Sequence, residues 1–152
     1  MHRQKHLGAD DEEGSAALEF IAVGVILLVP LVYLVIALGS IQEQTLGAES
    51  AARHIARVVA QAPDATTAAA RSDAVLTNII EEYGLDADQV DVSLSCTPAG
   101  VECPSAGATI IVTVATQVRL PLVPELFGLD RSTSMPVQAQ AVRKVSRLWG
   151  AG

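Results

Sequence analysis

Glu19 is the residue whose type and place most need a chemical explanation. It stands at the head of the stretch Phe20 to Gln42, where Tyr33 is the only ionisable side chain. A carboxylate within an apolar spanning helix costs about 2.5–3.5 kcal/mol at the helix centre and less toward its end. Such a group snorkels to the headgroups, stays protonated, or has a partner.

Cys96 and Cys103 are the next pair with chemistry to offer, six residues lying between them in a segment rich in Pro and Gly. That composition lets the chain fold back and join the sulfurs, so the alternatives are a disulfide or two free thiols. A bridge would imply an oxidising compartment. The spacing is not the C-x-x-C of a redox motif, and two thiols without a nearby histidine make a poor metal site. His2 and His6 are four apart, a ligand spacing on a helix, but nothing marks their segment as helical. His54 sits beside Arg53 without a third ligand. No metal or cofactor is expected. With no G-x-S-x-G elbow, P-loop or paired-carboxylate cleft in the sequence, the chain is expected not to be an enzyme.

Net charge argues in the same direction. Seventeen acidic against ten basic residues leave −7, and the scattered cations have no aromatic residues among them to stack bases, which excludes a nucleic-acid partner. Half of the residues are hydrophobic yet only 3% are aromatic. The surplus is Ala, Val, Leu and Ile near the N-terminus, which points to a lipid bilayer as partner.

The elements that position these residues follow from periodicity. The run from Phe20 to Gln42 is about as long as the roughly 20 residues that cross a bilayer as a helix, and longer than the apolar core of a cleaved secretory signal, about 7–15 residues. It leads directly into Ile41, Thr45, Ala48, Ala52, Ile55, Val59 and Ala62, which alternate by four and three residues along one side of a helix. Gln42, Glu43, Glu49, Ser50, Arg53 and Arg57 fall on other faces. The expected helix runs from near Ser15 to Gln61, where Pro63 stops it. Pro30, inside the spanning part, lacks the N–H that would bond the carbonyl of Ile26. That produces a kink, or local melting on assembly.

Ala65 to Tyr83 reads as a second helix, with Ala70, Val75, Leu76, Ile79, Ile80 and Tyr83 at helical spacing and Gly84 ending it. The period then changes to two. Val90, Val92 and Leu94 form one strand; Ile110, Val112, Val114 and Val118 form another; Met135, Val137, Ala139 and Ala141 form a third. Both cysteines lie in the segment joining the first two, so a bridge would staple a hairpin. Leu120 to Leu129 carries two prolines and reads as a buried loop or short helical turn. The expected fold is α+β: a long N-terminal helix, a second helix, and a small, about three-stranded antiparallel sheet packed on the outer half of the long helix.

The segment Gly14-Ser15-Ala16-Ala17-Leu18-Glu19-Phe20 resembles the processing site of type IV pilin-like precursors, in particular the TadE-like minor pilins and pseudopilins of tight adherence systems. The matching features are a short polar leader ending in Gly14, the Glu19-Phe20 pair with Glu19 as the fifth mature residue, and an unbroken apolar helix behind it. Ala51-Ala52-Arg53 resembles the pattern these proteins carry after the helix. The resemblance covers about residues 14–60.

It implies a leader over 1–14, an N-terminal helix over 15–62 (spanning about 16–41, amphipathic 42–62) and an extracytoplasmic α+β domain over 63–152, pilin-like in fold. It further implies cleavage by a prepilin peptidase after Gly14, which exposes the ammonium of Ser15 as a counter-ion for a carboxylate such as Glu19. Assembly would proceed by lateral helix packing with other pilin subunits on an inner-membrane platform. The N-terminus would be cytoplasmic, the chain single-pass in the cytoplasmic membrane, and the product a surface filament for adhesion or secretion. The leader is acidic at Asp10–Glu13, unlike the Lys- and Arg-rich flanks usual on the cytoplasmic side, so orientation rests on the resemblance and the candidate disulfide. The alternative is an uncleaved bitopic protein presenting a binding module in the envelope.

Overall fold

The computed structural model describes residues 10–120 and 134–150, with side chains from Ser15 onward. His2, His6 and nearly all of the Leu120–Leu129 segment lie outside the described residues. Helix α1 spans Asp10–Gln61, α2 spans Ala65–Tyr83, a 3-10 turn covers Ala87–Gln89, and the strands are β1 (Asp91–Thr97), β2 (Thr109–Arg119) and β3 (Ser134–Lys144). The chain divides into two compact units, Met1–Leu38 and Gly39–Gly152.

Helix α1 begins at Asp10, five residues ahead of the expected start. Acidic residue types are favoured in a first helical turn, and one interior glycine such as Gly14 costs only about 1 kcal/mol, so the glycine does not stop the helix. The helix also continues through Pro30.

In the second unit the sheet order is β1-β2-β3, antiparallel throughout. Central strand β2 turns Ile110, Val112, Val114, Thr116 and Val118 to one buried face. Val112 lies opposite Leu94 and Ala141, and Val114 opposite Val92 and Ala139, so the apolar positions of the three strands share that face. The other face mixes polar residues (Thr109, Thr113 and Gln117 with Ser93, Ser95, Gln138 and Gln140) with the apolar Ile111, Ala115 and Val142. Pro136 sits in an edge strand, where its missing N–H leaves the β2–β3 register intact.

Against the apolar face lies the C-terminal half of α1. Ala48, Ala51, Ala52, Ile55, Ala56 and Val59 join Ile110, Val112 and Val114 in one core cluster with Ile79 of α2. Complete burial contributes about 1.5–3 kcal/mol for a side chain of the size of Ile55, whereas the alanines contribute little area each but let backbones approach. One close approach is at Gly47, where a Cβ would stand 2.8 Å from Tyr83 Cβ. The expected stripe is thus buried at Ala48, Ala52, Ile55, Val59 and Ala62, and Ala51, Ala56 and Ala60 widen it.

Helix α2 is defined by its caps. The Asp64 carboxylate accepts hydrogen bonds from the Thr67 backbone N–H and hydroxyl, both at 2.8 Å. The backbone bond first, and then the hydroxyl, hold its carboxyl below the usual carboxylate range. Gly84 closes the helix at φ 60°, a left-handed conformation that glycine adopts without penalty. Ile79 is buried and Val75, Leu76, Ile80 and Tyr83 pack partly against the core, but Ala70 is exposed and Ala68 takes the buried place. Alanine is too weakly apolar for pattern alone to select which of a run faces inward.

After β3 the chain is tied back to the end of α1. The Ser146 N–H bonds the Ala60 carbonyl at 3.2 Å and the Gly150 N–H bonds the Pro63 carbonyl at 2.8 Å, while Trp149 packs against the core.

Candidate functional site at the head of the apolar helix

Within the first unit, most side chains described from Ser15 to Leu38 are apolar and exposed, while Tyr33 is half-buried and Ala37 buried. Leu18, Phe20, Ile21, Val23 and each residue from Val25 to Val29 are exposed, as are Leu31, Val32, Leu34, Val35, Ile36 and Leu38. Consecutive exposed apolar residues cover all faces of a helix, which is the pattern of a rod surrounded by something apolar rather than of one lying on a core. By length and composition the segment's helix is long and apolar enough to cross a membrane. Twenty-four residues, 15–38, rise about 36 Å, against a hydrocarbon core of about 30 Å.

Glu19 interrupts this surface on its first turns. It is exposed, with Ser15 four residues before it on the same helix and Phe20, 80% exposed, after it. No cation among the described residues pairs with the Glu19 carboxylate. Gly14 and Ser15 both lie inside α1.

The second unit places the other candidates. Cys96 and Cys103 are bonded, Cα to Cα 5.5 Å. Cys96 belongs to β1, opposite Ile110, and Cys103 to the loop before β2, so the bridge folds the loop back onto the end of β1 and does not join the two strands. His54 is exposed on α1, and among the described residues no group of three His, Cys, Asp or Glu side chains could hold a metal. The exposed pairs Glu49–Arg53 at 3.1 Å and Asp86–Arg119 at 3.2 Å are surface ion pairs, of the kind that contributes little to stability.

Two grooves went unforeseen in the sequence. One, about 290 Å³, lies between Ile55 and Val59 of α1, Ala69, Asp73 and Leu76 of α2, and Leu94 of β1. The other, about 660 Å³, runs beside β3 and is lined by Glu49, Arg53 and Arg143 among polar and small residues. Both arise where elements distant in sequence meet, so local periodicity carries no trace of them. Thr116 adds a further surprise: its buried hydroxyl has no hydrogen-bond partner among the described residues.

Comparison with protein-family models, with curated proteins and with solved structures finds no significant match to this chain.

Proposed function

We propose that the chain is a minor pilin or pseudopilin of a tight-adherence-type pilus or secretion system, cut after Gly14 and assembled by lateral packing of α1. The observation that carries this reading is Glu19, the one charged side chain of the segment Ser15–Leu38, whose other side chains are mostly apolar and exposed. Cleavage gives that carboxylate a counter-ion. The new Ser15 ammonium, on the same subunit or on a neighbour, neutralises a charge that would otherwise be stranded in hydrocarbon. The helix crosses the cytoplasmic membrane with its N-terminus inside, and the α+β unit faces out, where the Cys96–Cys103 bridge is chemically at home. Partners are other pilin subunits, the prepilin peptidase and an assembly platform in the inner membrane. The role is structural, with no catalysis.

One observation favours the rival, an uncut bitopic protein that presents the α+β unit to an envelope partner. Helix α1 runs unbroken from Asp10 across the Gly14–Ser15 bond, so a peptidase must first unwind its opening turns. Helix termini are the least stable part of a fold, and that cost is small. Mass spectrometry of the chain from its native membrane separates the readings: Ser15 as first residue supports cleavage, an intact Met1 the rival. Gly14→Val puts a β-branched side chain at the scissile bond and is expected to leave a precursor 14 residues heavier, by the position of Gly14. Normal processing of that variant removes Gly14 as the site.

A further inference from the structure

Leu148 is 77% exposed, more than any other large hydrophobic described between Gly39 and Gly150. It does not sit on a loose end. Its N–H bonds Ser146 Oγ at 3.1 Å, Ser146 is bonded to Ala60, Gly150 to Pro63, and neighbouring Trp149 packs on the core. The turn therefore holds an apolar knob out from the surface on a backbone already ordered before binding.

The groove of about 290 Å³ between α1, α2 and β1 is the reciprocal feature. Its floor is apolar, and Asp73 stands among its lining with no cation paired to it in the described fold. Arg147, beside the knob, is exposed and likewise unpaired. The surrounding charge follows the same division. Residues 134–150 hold Arg143, Lys144 and Arg147 and no acid, whereas between Arg71 and Arg119 stand Asp73, Glu81, Glu82, Asp86, Asp88, Asp91 and Glu102 and no cation. Since Leu148 is exposed in its own copy, its own groove does not receive it.

We propose that the Arg147–Leu148 turn of one copy docks into the groove of a second copy, Leu148 entering between Val59, Ala69 and Leu94 and Arg147 facing Asp73. The apolar contact supplies affinity, and the opposed charges of the two segments steer and orient the encounter. An exposed knob that matches a pocket elsewhere on the same chain makes a contact between different surfaces, which generates chains or rings of subunits. This interface is separate from helix packing and does not depend on cleavage, because an uncut chain carries the same turn and the same groove.

The test uses the full chain in detergent. A donor copy carries Leu148→p-benzoylphenylalanine, and an acceptor copy carries a distinguishing tag. Irradiation is expected to give covalent donor–acceptor dimers whose acceptor peptides fall within Ala65–Leu76 or Val92–Leu94. Ala69 is exposed and lines the groove, so Ala69→Phe in the acceptor fills the groove from outside and is expected to lower the yield about tenfold, equivalent to about 1.4 kcal/mol. An unchanged melting temperature of that variant shows its fold is intact. Asp73→Arg in the acceptor is expected to lower the yield in dilute salt and to lose its effect in 1 M salt, where the screening length is about 3 Å. Absence of dimers, cross-links that map only to helix residues 15–38, or yields indifferent to Ala69→Phe overturn the proposal. None of these outcomes touches the processing of Gly14.

Discussion

Replacing Gly47 by alanine sets a methyl carbon 2.8 Å from Tyr83 Cβ, 3.0 Å from Tyr83 Cγ and 3.3 Å from Leu85 Cδ2. Carbon atoms rest at about 3.5–4.0 Å, so α1 and the end of α2 must separate by roughly 0.7 Å or Tyr83 must leave its place. Overpacking of this kind costs about 1–3 kcal/mol. Against it stands the gain of about 1 kcal/mol that alanine brings to a helix interior over glycine. Gly39, on the same helix with nothing within 4 Å of its would-be Cβ, receives the gain without the clash. The difference between Gly39→Ala and Gly47→Ala therefore isolates the contact, and is expected at about 1–3 kcal/mol. Urea titration of the full chain in detergent, read by the fluorescence of Trp149, the single tryptophan, measures both. Equal midpoints for the two variants refute the close approach of α1 to Tyr83.

Thr116→Val removes a buried hydroxyl without a partner among the described residues and is expected to raise stability by about 1 kcal/mol in the same titration; a loss would mean that the hydroxyl is bonded. Replacing Cys96 and Cys103 together by serine opens a loop of seven-residue separation and is expected to cost about 2–3 kcal/mol, with reductant doing the same to the wild type. Glu19→Ala is expected to be processed normally yet to yield little filament, and wild-type filament amounts would remove the charge pair from the assembly mechanism.

Much of this architecture is legible locally because it is written in local energies. The extent of α2 follows from Asp64 and Gly84, which satisfy helix ends within a few residues of chain. The three strands follow from alternation that puts Val112 and Val114 inside and Thr113 outside. The apolar rod and its one carboxylate are plain in composition alone. The start of α1 is less legible: the apolar pattern places it near Ser15, whereas the helix begins at Asp10, because a single glycine at Gly14 is a small term beside the propagation of a long helix.

What tertiary structure decided is how small and weakly apolar residues were used. Among Ala68, Ala69 and Ala70 the sequence offers no distinction, and only packing buries the first and leaves the other two to line a groove or face solvent. Gly47 has the same character, an apparent helix weakness that is a point of contact. The placement of Cys96 within β1, the groove beneath Leu94 and the presentation of Leu148 likewise depend on contacts between segments far apart in the chain. Hydrophobic period and capping chemistry act over one turn or one strand pair, so sequence by itself determined the elements; close packing acts between them, and it alone assigned the faces.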